Sequence, residues 1–256
     1  SAHAESVYFA SGFNKAIVLV LDGAGDDAAI SVFLGNSNKK EKLQLIKCVQ
    51  PAQFSYGHLY GFVTAFLGYN KGSSNTHCGK IMGLSSYGSP VYYDQIKEIF
   101  RKPKSNNIFP SNHKDIFKYL DKNFGASFRL TNKFEKIQAD LASSIQKFLE
   151  DDVIYTLKQI SSEYPDYNNL CLAGGVAMNS LMNGKIIKSN LFDDLFVQPA
   201  SSDTGLPYGA AHFGARKNKR SIQSRWIRAN WGFTSDDRTR ELNELLKLYN
   251  FPIKYT

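Results

Sequence analysis

The apolar run from Ala16 to Leu21 ends in Asp22-Gly23, the pattern of a strand buried on both faces that enters a turn. Two more strands are expected over residues 28–34 and 43–49, with turns at 23–27 and 35–40, so the opening reads as a strand meander. Residues 57–67 read as a helix packed on that sheet. Residues 90–134, rich in Lys, Asn, Phe and Pro, show no strong period and read as an insertion. Over residues 133–162 the apolar positions Ile137, Leu141, Ile145, Phe148, Leu149, Ile154, Leu157 and Ile160 recur at steps near three and four, which predicts one or two long amphipathic helices. A short buried strand (168–173), a helix (177–189), a strand (194–197) and a small-residue helix (205–215) complete an α/β order. No internal repeat interrupts it.

At 256 residues and 43% hydrophobic content, the chain is long enough to bury one large core or two modest lobes. No apolar run approaches the roughly eighteen residues of a membrane span, and no basic stretch and apolar segment mark a leader, so the expected setting is cytoplasmic with no membrane partner. Cys48, Cys78 and Cys171 are odd in number and lack CxxC spacing, which suggests reduced, structural thiols. The net charge of +8 suits phosphates or an acidic partner, but the excess is scattered and is weak evidence for nucleic acid. After Lys217 the composition shifts to Arg, Lys and Ser, which places a boundary near residue 222, with residues 231–233 and a helix-like 236–249 opening a new region. The chain starts at Ser1 and ends at Thr256 with no obvious stop, and a fragment is expected.

Four segments carry candidate chemistry. Asp22-Gly-Ala-Gly-Asp-Asp27 follows a buried strand, where glycines let backbone N–H groups approach phosphate and carboxylates can hold a metal; an ordinary hairpin turn explains it equally. Gly79-Lys80 through Gly88 surrounds one lysine with three glycines, without matching the P-loop pattern. Ala173-Gly174-Gly175-Val-Ala-Met-Asn179 reads as a glycine pair between a strand and a helix, an arrangement that favours an anion, with Asn179 available to a ribose or base. Gln198-Pro-Ala-Ser-Ser-Asp203 puts a carboxylate at a strand end, as a metal ligand or as a helix cap. His3 joins the set because a histidine and an aspartate from distant parts of a chain can share one first-row metal.

In this order the segments resemble the NodU/CmcH family of O-carbamoyltransferases. Ser1-Ala-His3-Ala4 resembles the end of its His-His-x-x-His-Ala motif, and Asp22-Gly-Ala-Gly25 its Asp-Gly-x-Gly turn. Cys78 to Gly88 resembles its Gly-Lys-Val-Met-Gly-Leu-Ala-x-Tyr-Gly segment, Gly174 to Asn179 its Gly-Gly-Val-Ala-Leu-Asn signature, and Gln198 to Gly205 its Gln-Pro-Ala-x-x-Asp-x-Gly tract. Ser202, Thr204 and Cys78 depart from the commoner residues.

The resemblance implies an actin/Hsp70/sugar-kinase-like (ASKHA) nucleotide-binding fold, of which this chain is mainly the second lobe. Residues 1–221 would be an N-terminally incomplete ATP- and metal-binding domain, and 222–256 the linker and start of a C-terminal domain. It further implies His3 and Asp203 as ligands to a divalent metal, Fe2+ first with Mn2+ or Zn2+ as alternatives. The nucleotide contacts would be Asp22, Gly23, Gly25, Lys80, Gly174, Gly175 and Asn179. The implied reaction moves a carbamoyl group from carbamoyl phosphate through an ATP-derived carbamoyl adenylate to the hydroxyl of a sugar or natural product. No residue stands out as a catalytic base. Two rival readings are a tRNA threonylcarbamoyladenosine-forming transferase and a nonenzymatic actin-like nucleotide-binding module. Thr204-Gly205 after Asp203, where the tRNA-modifying family has Asn-Gly, argues against the first.

Overall fold

In the computed structural model the described residues are 2–25, 28–69, 77–101, 108–110, 115–124, 136–218 and 220. They form α1 (Ala2–Ser11), β1 (Lys15–Leu21), β2 (Ile30–Asn36), β3 (Leu43–Val49), α2 (Tyr56–Phe66), α3 (Cys78–Ser85), α4 (Tyr93–Phe100), α5 (Asp115–Phe124), α6 (Lys136–Glu163), β4 (Asn169–Ala173), α7 (Ser180–Lys188), β5 (Asp194–Val197) and α8 (Leu206–Lys217). Single 3-10 turns at Gly175–Met178 and Asp203–Gly205 precede α7 and α8. The expected boundary near residue 222 and the elements beyond it lie outside the described residues.

The strands form one sheet in the order β3-β2-β1-β4-β5. β2 runs antiparallel to β1 and β3, while β1, β4 and β5 are parallel. Central β1 reads as a continuous apolar run because both of its faces are covered. Ile17, Leu19 and Leu21 share a core with Leu59 and Val63 of α2 and with Leu141, Ile145 and Phe148 of α6. Ala16, Val18 and Val20 share the opposite core with Ala4, Val7 and Tyr8 of α1 and with Cys171 and Ala173 of β4. Each large aliphatic side chain buried this way contributes about 1.5–3 kcal/mol.

The order of elements follows the sequence pattern, with instructive differences. β2 starts at Ile30, two residues after the expected start, and the Asp22 N–H donates to Ala29 O at 2.8 Å next to the Leu21–Ile30 pair. Residues 136–163 make one helix. Within the expected insertion over residues 90–134 two helices form: α4 buries Ile96 and Phe100, four residues apart, and α5 buries Ile116 and Leu120 at the same spacing. These helices are mostly polar, so their narrow apolar stripes disappear in the surrounding Lys and Asn. α1 escapes the periodicity because it packs on the sheet with one side and on α8 with the other.

A buried polar knot secures the helical layer near the site. The Tyr56 hydroxyl of α2 and Nε of Arg101, at the end of α4, both donate to Asp152 of α6. No helix among the described residues is long and apolar enough to cross a membrane.

Candidate metal and nucleotide site

The parallel strands β1, β4 and β5 end at one edge of the sheet, where Val20 pairs with Ala173 and Leu172 with Val197. The residues that follow them, Asp22, Gly174-Gly175 and the Gln198–Asp203 segment, therefore emerge side by side, the location where open α/β sheets characteristically bind ligands. α1 lies against this sheet and brings His3, in its first turn, to the same edge.

His3, Asp22 and Asp203 each offer a ligand atom, and these atoms lie within 4.8 Å of one another. His3 Nε2 is 3.2 Å from Asp22 Oδ2 and 3.5 Å from Asp203 Oδ1. His3 and Asp22 are largely buried, whereas the Asp203 side chain is 82% exposed. The expected pair His3 and Asp203 thus meets, and Asp22, expected as a nucleotide contact, stands with them.

Asp22 is held by its own turn. Its Oδ1 accepts from the Gly23 N–H at 2.8 Å and the Gly175 N–H at 3.3 Å. Burial pushes the Asp22 carboxyl up, but the His3 contact and these two N–H donors outweigh it and leave the group below the ordinary carboxylate range. Behind the turn, the Ser55 hydroxyl contacts Asp22 O at 3.0 Å and Gly23 O at 2.6 Å, while its oxygen accepts from the His58 N–H and caps α2. Gly57 permits this approach, since a Cβ there would stand 2.5 Å from Gly23 Cα. His58 also flanks the turn: a Cβ on Gly23 would meet its Cδ2 at 3.9 Å. Nothing in the residue order pointed to Ser55 or His58, although a serine just ahead of an apolar helix is a cap signal.

The first residue of the glycine pair must be glycine. Gly174 has φ +92° and ψ 163°, and a Cβ on it would lie 2.2 Å from Leu21 O at the end of β1. Its N–H donates to Ser201 O at 2.7 Å, which ties the turn after β4 to the segment leading to Asp203. The expected direct passage from this turn into a helix over 177–189 is corrected: a 3-10 turn intervenes and α7 starts only at Ser180. Asn179 makes the break, because its Oδ1 accepts from the Met182 N–H at 2.9 Å and caps α7.

The Asn179 amide is further committed to Gln146 of α6, with bonds of 3.0 and 2.8 Å in the two directions, and Gln146 also accepts from the Tyr60 hydroxyl at 2.6 Å. The structure therefore gives Asn179 a buried, cap-forming position. Lys80 stands apart on α3, exposed, with Nζ 5.9 Å from the centre of the Tyr69 ring. The segment around it is a helix: Ile81 and Leu84 are buried, and Gly79 and Gly83 have nothing among the described residues within 4 Å of an added Cβ. Gly25 is exposed beside Ala28, where a Cβ would lie 2.7 Å from its carbonyl oxygen.

The donor set fits a small divalent cation. With metal–ligand distances of about 2.1 Å, neighbouring ligand atoms stand about 3.0–3.4 Å apart, close to the spacings from His3 to its two carboxylates. Among the described residues His3 Nδ1 is buried without a hydrogen-bond partner, so the ring proton can sit there and leave the Nε2 lone pair to a cation.

The family Carbamoyltransferase N-terminus matches residues 1–212. The chain is 34% identical to nodulation protein NolNO of Sinorhizobium fredii, over 82% of this chain and 29% of that protein. It is 33% identical to nodulation protein NolO of Bradyrhizobium diazoefficiens, over 82% of this chain and 36% of that one. The chain thus spans about a third of the length of these curated relatives. Full-length HypF, crystallised in a phosphate- and nucleotide-bound form, aligns with 87% of this chain and 43% of its own at a TM-score of 0.55 and 14% identity, a likeness of fold. The architecture is of the actin/Hsp70/sugar-kinase class. A family match over most of the described residues, coinciding with the strand-end cluster, makes this chain a member of the carbamoyltransferase family, matched at that family's N-terminal part.

Proposed function

We propose that the full-length protein transfers a carbamoyl group from carbamoyl phosphate to the hydroxyl of a small molecule, a sugar or natural product, at the expense of ATP. Water cleaves carbamoyl phosphate to carbamate and phosphate. A carbamate oxygen attacks the α-phosphate of ATP, forming carbamoyl adenylate and releasing pyrophosphate. The acceptor oxygen then takes the carbamoyl group, loses its proton, and AMP leaves.

The observation that carries this reading is the convergence of His3, Asp22 and Asp203 at the ends of parallel strands, in a chain of this family. His3 and Asp203, with Asp22 beside them, would hold Fe2+ first of all, with Mn2+ or Zn2+ as alternatives that suit the same imidazole and carboxylate donors. Bound there, the cation supplies positive charge that polarises phosphate or carbonyl oxygens. The Gly23, Gly25, Gly174 and Gly175 turns would let the nucleotide phosphates come close to the backbone, as glycine turns at strand ends do. Asp203 is open to solvent, which leaves room for substrate at the centre. Asn179 would act by fixing the 3-10 turn, consistent with its bonds to Met182 and Gln146. Lys80, exposed on α3, would be a further nucleotide contact, and residues 222–256 would be the linker and start of a C-terminal domain.

The test is carbamoyl-phosphate-dependent release of pyrophosphate by the full-length protein supplied with ATP and Fe2+. Release that disappears in Asp203→Ala supports the reading. A folded protein that binds ATP and releases none refutes it.

A further inference from the structure

The ligands of the proposed metal centre come from elements far apart in the chain, so their spacing depends on how α1 seats against α8. His3 belongs to the first turn of α1, and Asp203 to the 3-10 turn that runs directly into α8. Three contacts fix the seat. Gly209 of α8 faces the start of α1 so closely that a Cβ would stand 1.9 Å from Ala2 O and 3.1 Å from Ser6 N. Gln198 Nε2 donates to Ser6 O at 2.8 Å, in a fully buried contact 192 residues apart in sequence. Two turns further along α8, the Arg216 guanidinium donates to Glu5, whose side chain is 2% exposed. Ser6 closes the set, its hydroxyl donating to His3 O at 2.8 Å.

We propose that Gly209 and Gln198 are positioning residues of the metal centre: Gly209 sets the α1–α8 separation, Gln198 ties α1 to the segment leading to Asp203, and together they set the reach of His3 to Asp203. The inference rests on the metal reading above. Two atoms bound to one ion at about 2.1 Å cannot stand more than about 4.2 Å apart, and useful angles keep them nearer 3.0–3.4 Å. His3 and Asp203 are already 3.5 Å apart. A methyl group at position 209 meets the α1 backbone at Ala2 O, Ala2 C and Ser6 N, and restoring ordinary van der Waals distance to Ala2 O requires α1 to retreat by about 1 Å or more. That shift carries His3, the next residue in the chain, out of reach of a shared ion. No side chain with a charge or a titratable group need change.

The experiment titrates the metal-free full-length protein with Mn2+, following free ion by electron paramagnetic resonance, and records Tm with EDTA and with saturating Mn2+. Gly209→Ala is expected to weaken Mn2+ binding by about tenfold or more, the loss typical of removing support behind a ligating histidine, and to shrink the Mn2+-induced rise in Tm. Gln198→Met, which keeps size and removes the bond to Ser6 O, acts in the same direction by a smaller factor. A purely structural role lowers the EDTA Tm but leaves the Mn2+ affinity of the folded variant unchanged, and that result overturns the proposal. Where Gly209→Ala does not fold, unchanged Mn2+ affinity in Gln198→Met overturns it. His3→Ala separates the two levels: wild-type Mn2+ affinity in that variant removes the metal reading itself.

Discussion

Gly174→Ala should be among the most damaging single-methyl additions to this domain, while Gly184→Ala, ten positions on, should stabilise it. Gly174 holds φ +92° and ψ 163°, a region that residues with a Cβ enter at a cost of about 1–3 kcal/mol. The added carbon would also lie 2.2 Å from Leu21 O, 2.6 Å from Leu21 C and 3.0 Å from Leu21 N. All three are backbone atoms of central strand β1, which cannot swing aside as a side-chain tip can. Relieving such overpacking typically costs a further 1–3 kcal/mol or so. The sum, about 2–6 kcal/mol, is a large part of the roughly 5–15 kcal/mol that separates folded from unfolded domains.

Gly184 presents the opposite case. It lies inside α7 with nothing among the described residues within 4 Å of the place a methyl group would occupy, and alanine there gains about 0.5–1 kcal/mol of helix propensity. The assay is urea and thermal unfolding of both variants of the full-length protein, read by far-UV circular dichroism. A wild-type midpoint for Gly174→Ala, or a shift of the midpoint in the same direction by both substitutions, would refute this account of the two glycines.

Two further predictions concern groups away from the site. Burial pushes the Cys171 thiol up to about 12, so at pH 8 an alkylating reagent should label exposed Cys48 first and reach Cys171 only after unfolding, as mass spectrometry of timed samples would reveal. Burial raises the Asp151 carboxyl, but Lys147 and Lys185, at 2.8 and 2.6 Å, outweigh it and hold the group below its ordinary range. A depressed folded-state value stabilises above the unfolded value, near 4, and is lost as pH falls through the folded one. Asp151→Asn should therefore lower stability at pH 7 and converge with wild type below about pH 4 in urea titrations; an equal gap at both pH values would contradict the assignment.

The helical and strand elements that carry wide apolar faces could be read from the residue order, and for a physical reason. β1 is apolar throughout because both faces are buried, and α6 repeats its apolar positions because one stripe is. α4 and α5 were illegible since they bury only narrow stripes in polar surroundings. The segment around Lys80 carries three glycines, yet Ile81 and Leu84, packed into the core, decide for helix.

By itself the sequence determined the α/β order of elements, the strand-end turns that need glycine, and the residue types able to hold a metal. Which of those residues meet was decided by tertiary structure alone. His3 and Asp203 are 200 positions apart, and no local pattern specifies that α1 and α8 approach until Gly209 lies against the Ala2 backbone. Asp22 joined them only because β1 and β4 are parallel neighbours that end together, and Asn179 was drawn into a buried amide pair by a helix from another part of the chain. Burial pattern is a local property that each residue carries with it, while convergence at a site depends on strand order and helix docking, which are properties of the whole packed chain.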